Sequence, residues 1–168
     1  MKVIGSVLTI LALATIVAGD DAFYRSCIAR VARKYNGSTK WAVAVAKDEF
    51  KAGTNKCNKF VADVLAECGI NPPLESPKWN FWTFGVVGNS PLTAGGWADK
   101  SRYVPHFRVM SGGYQAGDIV AEARAYTDAT GHVGIAVSST EIMAAGSTKV
   151  HSGSAHKLDA GTVRRYFG

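Results

Sequence analysis

The sequence predicts an α+β domain, with helices in the first half packed on an antiparallel sheet built from the second. Two observations carry this. Up to Gly69, apolar residues recur at three- and four-residue steps, the spacing of a helix face. After about Lys100, short β-like runs follow one another with Gly and Ser between most of them. Helices first and strands after argue for segregated layers rather than alternating β-α-β units.

The 168-residue chain opens with Lys2, an apolar run from Val3 to Ala18, and Gly19 before Asp20 and Asp21. A basic start, an apolar core and small residues at the exit mark a secretory signal peptide over residues 1–19. The run is about 16 residues, short of the roughly 20 that span a bilayer, and no other stretch is long and apolar enough. Residues 20–168, about 150 residues, are enough for one domain with its own core. The expectation is a secreted protein, a monomer with no transmembrane segment in its mature form.

The first helix is "AFYRSCIARVARKY", with Phe23, Cys27, Ile28, Val31 and Tyr35 on one face. "NGS" at Asn36 favours a turn and is also a glycosylation sequon if the host is eukaryotic. A second helix is expected over "STKWAVAVAKDEFKAG", capped by Ser38 or Thr39 and ended near Gly53. The third, "NKCNKFVADVLAECG", carries the stripe Cys57, Phe60, Val61, Val64, Leu65 and Cys68. Lys59, Asp63 and Glu67 stand at four-residue steps on another face. Gly69 ends it and Pro72–Pro73 forbid its continuation. From Gly69 to Lys100 lies a long loop with four prolines and three of the four tryptophans, Trp79, Trp82 and Trp97. The strand candidates are "YVPHFRVM", "GDIVAEA", "HVGIAVS", "EIMAAG", "TKVHSG" and "TVRRYF".

The net charge of +6 favours anionic surfaces, bacterial walls among them. No basic run interleaved with aromatics points to nucleic acid, which is not expected as a partner. The histidines lack a metal-ligand spacing, so neither a metal nor a cofactor is expected.

Three cysteines in a secreted chain leave one over. Cys57 and Cys68 are roughly 16 Å apart along a helix axis, too far for a disulfide. That leaves Cys27 with Cys68 or with Cys57, or all three reduced and buried. A Cys27–Cys68 staple is favoured, because both lie on apolar helix faces. Cys57 would then be free at the start of its helix. There the dipole and unpaired N–H groups lower a thiol's pKa, and the same groups, with Asn55 and Asn58, can hold an oxyanion. A cysteine nucleophile needs an imidazole. His132 in "GHVGIAV" shares its strand face with Gly134 and Ala136, small neighbours that leave room for a helix to pack close. His106 and His156 read as surface or loop residues. A third group to orient His132 is sought among Ser147, His151, Ser152 and Asp159, or a backbone carbonyl; His151 on the following strand is preferred.

The order of "KCNKFVADVL" from Lys56, "AGDIVA" from Ala116 and "GHVGIAV" from Gly131 resembles the papain-like NlpC-type cysteine peptidases and the related CHAP amidases. Within these it is most similar to the second family of bacterial type VI amidase effectors and their domesticated relatives in arachnids. The resemblance implies a papain-like NlpC-type fold and cysteine amidase activity on bacterial peptidoglycan. The implied bond is the D-alanine–meso-diaminopimelate cross-link, with Cys57 as nucleophile and His132 as base. Asn58 and Lys59 stand where common NlpC-type sequences carry Ser-Gly. Ala144 stands where they often carry a polar third residue. Trp79 and Trp82 would wall the cleft. Two other classes compete: a non-catalytic basic wall-binding or membrane-active antimicrobial, and a Cys–His acyltransferase.

Overall fold

The computed structural model describes residues 20–76, 78–80, 85–87, 90–125, 129–153, 158 and 161–168. The expected signal peptide (1–19), Trp82, His156 and Asp159 lie outside the described residues, as does the side chain of Trp79. Helix α1 covers residues 20–34, α2 is Cys57–Glu67 and α3 is Ala94–Ala98. The strands are β1 Lys78–Asn80, β2 Gly85–Val87, β3 Phe107–Met110, β4 Ile119–Ala123, β5 Gly131–Ala136, β6 Ile142–Ala145, β7 Val150–Ser152 and β8 Thr162–Tyr166. β1 and β2 form a hairpin inside the long tryptophan-bearing loop. The other six make one antiparallel sheet in the order β3-β8-β4-β5-β6-β7. The architecture is α+β, with helices on an antiparallel sheet. Among the described residues no helix is long and apolar enough to cross a membrane.

All six strand candidates form strands, and α2 forms where its stripe predicts. Cys57, Phe60, Val61, Val64, Leu65 and Cys68 are buried together, while Lys59 pairs with Asp63 at 3.0 Å on the other face. The helix ends as its sequence requires. Gly69 takes φ +76, its N–H donates to Ala66 O, and Ile70 N–H donates to Leu65 O. That is a Schellman stop, sealed by burial of Ile70 and Leu65 in one cluster. In α1, Cys27, Ile28 and Val31 are buried, but Phe23 is exposed and meets the ring of Tyr24 edge-on. Asn36 is exposed in a turn, with Gly37 at φ +80.

The second expected helix does not form; residues 38–53 are a loop with a single Lys47–Phe50 bridge. "WAVAVA" alternates with a period of two, not 3.6, and Asp48 takes φ +49. Backbone groups that a helix would satisfy internally go elsewhere. Val43 N–H donates to Ser147 O and its carbonyl accepts from Gly53 N–H. Trp41 is buried against Phe60 and donates its indole N–H to Asp63, so tertiary packing overrides local helix propensity.

Cys27 and Cys68 form the disulfide, with Cα atoms 5.9 Å apart and a sequence separation of 41. It ties α1 to the end of α2. Closing a loop of that length restricts the unfolded chain by about 4 kcal/mol. The paired Cys27→Ala/Cys68→Ala variant should lose a stability of that order in urea titration. A loss under 1 kcal/mol would mean that packing alone holds α1 in place.

Candidate active site

Cys57 is the free cysteine, 6% exposed, at the first position of α2. Lys56 occupies the N-cap and supplies no side-chain cap. The N–H groups at the helix start are therefore not taken by a side-chain cap, and the backbone at Cys57 and Asn58 favours the thiolate. The Val133 backbone does so as well. Burial nevertheless wins and pushes the thiol's pKa up. The sequence reading had weighed the helix start alone, which lowers it; desolvation reverses the sign.

The raised pKa has a direct readout. A thiol raised above its unfolded value adds stability below the unfolded pKa, and that stability is lost as pH rises through the folded one. Alkylation of Cys57 by iodoacetamide should follow a titration lying above the ordinary thiol value of about 8.5. An inflection below pH 7 would show the helix start outweighing burial.

The structure also corrects which face of β5 meets the helix. α2 packs on the side carrying Val133, Ile135 and Val137. Strand alternation puts His132, Gly134 and Ala136 on the other side, where Ala136 clusters with Val120, Ile142 and Leu158. Branched Val and Ile offer a helix the apolar area it must bury. The small face has no room for one: a Cβ on Gly134 would lie 2.7 Å from Ile142 Cγ2.

Cys57 and His132 nevertheless border one cavity of about 190 Å³, with Asn55, Ala129, Gly131, Ala145, Gly146 and Ser147. Sheet geometry explains how. The β5–β6 ladder pairs Ile135 with Met143 and Ala136 with Ile142. In that register Val133 would come opposite Ala145, but the ladder stops short, and the Val133 backbone instead acts on the Cys57 thiol, lowering its pKa against the effect of burial. The thiol thus sits at the edge of β5 where the two strands part, and His132 reaches the same opening from the opposite face.

A second cavity, about 210 Å³, shares Asn55, Cys57, Ala129 and Gly131, and extends along Phe50, Asn58, Ser90, Thr93, Ala94 and Thr130. The two are arms of one cleft that meet at Cys57. Both walls are tied down. Buried Lys56 donates to the carbonyls of Ala42, Val43 and Thr54, anchoring the 42–54 loop; burial lowers its pKa. The α3 wall is held by Asn58 Nδ2 on Pro91 O (3.2 Å), Gly95 N–H on Thr130 Oγ1 (2.9 Å) and the Glu75 carboxylate, which accepts from the backbone and hydroxyl of Thr93. Burial acts to raise the Glu75 pKa, but these donors and Arg102 outweigh it and the net direction is down.

Of the groups considered for orienting His132, His151 lies on β7 opposite Ala144. Its Nε2 sits 2.7 Å from where a Cβ on Gly146 would be. Gly146 comes opposite His132 if the β5–β6 register is extended, so the His151 ring fills the place across from His132. His151 Nδ1 is 3.3 Å from Ser152 O. A carbonyl only accepts, so that contact makes Nδ1 the donor. Ser147 lines the cleft; Ser152 O is the partner of His151. Glu122, which the sequence reading missed, is directly opposite His132 on β4 and pairs with Arg124 at 2.5 Å. Its signal was a carboxylate two residues after Val120 in an otherwise apolar strand. Exposed His106 takes φ +62 and stacks on Tyr166, away from the cleft residues.

Asp118 of the "GD" turn is structural. It is fully buried and pairs with Arg165 through two 2.8 Å contacts. Gly117 precedes it at φ +89, where a Cβ would strike the Arg25 backbone. Among the described residues no three His, Cys, Asp or Glu side chains cluster as metal ligands would. No family model matches the chain, and no curated protein or solved structure matches it either.

Proposed function

We propose that the protein is a secreted cysteine amidase of papain-like NlpC type that opens stem-peptide cross-links in bacterial peptidoglycan and serves antibacterial defence. One observation carries the reading: a buried, unpaired thiol at an uncapped helix start shares a cleft with an imidazole on a strand edge. The thiol rests protonated, and His132 removes its proton as Cys57 Sγ attacks the D-alanyl carbonyl. The N–H groups at the start of α2 stabilise the oxyanion. His132 then protonates the departing amine of meso-diaminopimelate, the C–N bond breaks, and a thioester remains on Cys57. Water deprotonated by His132 attacks the thioester, releasing a carboxylic acid and restoring the thiol.

The two arms suit a branched peptide, one on each side of the scissile bond. Mass spectrometry of fragments released from purified walls of known cross-link type tests this. The expected products are uncross-linked stems bearing a new D-alanyl carboxylate and a free diaminopimelyl amine. Release of intact cross-linked dimers would reject the bond assignment.

A further inference from the structure

A second concave surface lies away from the cleft. Helix α1 presents Arg25, Arg30 and Arg33 along an open groove of about 420 Å³, floored by Ala22, Ser26, Ala29, Ala116 and Val137. Val137 follows the end of β5, whereas the cleft lies at Gly131, so roughly 20 Å of strand separates them.

The arginines are set for a ligand outside the chain. Arg33 Nη2 donates to Val137 O at 2.7 Å and Arg25 Nη1 to Tyr166 O at 3.4 Å. Each guanidinium is steadied through one N–H while other donors remain. Among the described residues Arg30 Nη2 has the Cys27 sulfur, at 3.6 Å, as its hydrogen-bond partner, a weak acceptor within a disulfide. Among the described residues none of the three has a carboxylate at ion-pair distance; neighbouring Glu67 is taken by Lys34 and Tyr35. Three guanidiniums with no close ion pair among the described residues, though Arg30 also feels the field of Glu67, form on a bed of small residues a site for phosphate oxygens, which match the planar fork of arginine.

From Arg25 to Arg33 the helix rises about 12 Å, so the charges form a line rather than a cage around one small ion. The lining holds no aromatic side chain on which a base could stack. It is concave, and Val137 is its one bulky apolar member, which does not suit insertion into a bilayer. We infer that this groove binds a linear, base-free phosphodiester polymer, the chemistry of poly(glycerol phosphate) chains, and so docks the protein on phosphate-rich surfaces. The inference goes beyond the amidase reading and stands without it, because binding is measured with no hydrolysis.

The test titrates the full protein with poly(glycerol phosphate) across a salt series. Beside it run a single-stranded oligonucleotide, polyglutamate, and vesicles of anionic phospholipid. The triple variant Arg25→Gln/Arg30→Gln/Arg33→Gln is compared with Arg30→Glu, whose side chain carries no backbone tie. The wild type should bind the polymer with a log–log salt slope near −2, as about three phosphate contacts imply. The triple variant should bring that slope close to zero, and Arg30→Glu should weaken binding at least tenfold. Unchanged binding in a folded Arg30→Glu protein overturns the proposal. So does tighter binding to the oligonucleotide, the vesicles or polyglutamate than to the polymer.

Discussion

Under the proposed amidase mechanism, Cys57→Ala and His132→Ala should each lower the rate of cross-link cleavage by about 10⁴- to 10⁶-fold, and the double variant should be no slower than the worse single one. A nucleophile and its base act as one unit, so their losses do not add. The buried thiol loses a single sulfur atom in Cys57→Ala, and the unfolding free energy should stay within about 1–2 kcal/mol of wild type. Activity and stability therefore separate. Under the same proposal His151→Ala should behave differently: it should slow the reaction less and shift the acid limb of the pH–rate profile, because it would act on the imidazole and not on the substrate. His151→Gln, which keeps a hydrogen-bonding side chain, should recover part of the loss. Cross-link cleavage that survives Cys57→Ala would remove Cys57 as the nucleophile, whereas killing that survives it without cleavage would leave charge-driven binding as the function.

Much of this site was legible because its parts are local. A cysteine at the beginning of an amphipathic helix, and a histidine beside glycine at the start of an apolar strand, are each visible within ten residues. The disulfide was legible in part: helix geometry forbade Cys57 with Cys68, and the apolar helix faces favoured Cys27–Cys68 without excluding Cys27–Cys57. What sequence left unread is non-local. Strand β8 inserts between β3 and β4, and nothing in "TVRRYF" says so. The cleft walls come from Phe50, Ser90, Thr93 and Thr130, which share no motif because loops are placed by ties at a distance. Lys56 reads as a surface charge, yet it is 2% exposed; only the carbonyls of a loop expected to be helical explain it. The face of β5 was misjudged because small residues were read as room for a helix, when they mark close approach between neighbouring strands.

Asp118→Asn should destabilise the fold by about 3–5 kcal/mol, the cost of leaving a buried charge without its partner. Asp118 is fully buried, accepts from Arg165 Nε and Nη2 at 2.8 Å each, and takes Gln115 N–H at 2.8 Å. Arg165 lies on β8 next to Arg164, whose buried guanidinium donates to the carbonyls of Trp97, Asp99 and Arg102. The pair thus fixes the turn into β4 against the strand that carries the α3 wall. An exposed pair such as Lys34–Glu67, at 56% and 34% side-chain exposure, should cost far less when broken, because solvent screens it. In a domain of this size the Asp118→Asn loss corresponds to a drop in Tm of about 10–15 °C. Replacing both partners together, Asp118→Leu with Arg165→Met, should cost less than Asp118→Asn, because no charge is left stranded. A double variant that is less stable than the single one would show that the ion pair itself, and not the avoidance of an orphaned guanidinium, holds the sheet together.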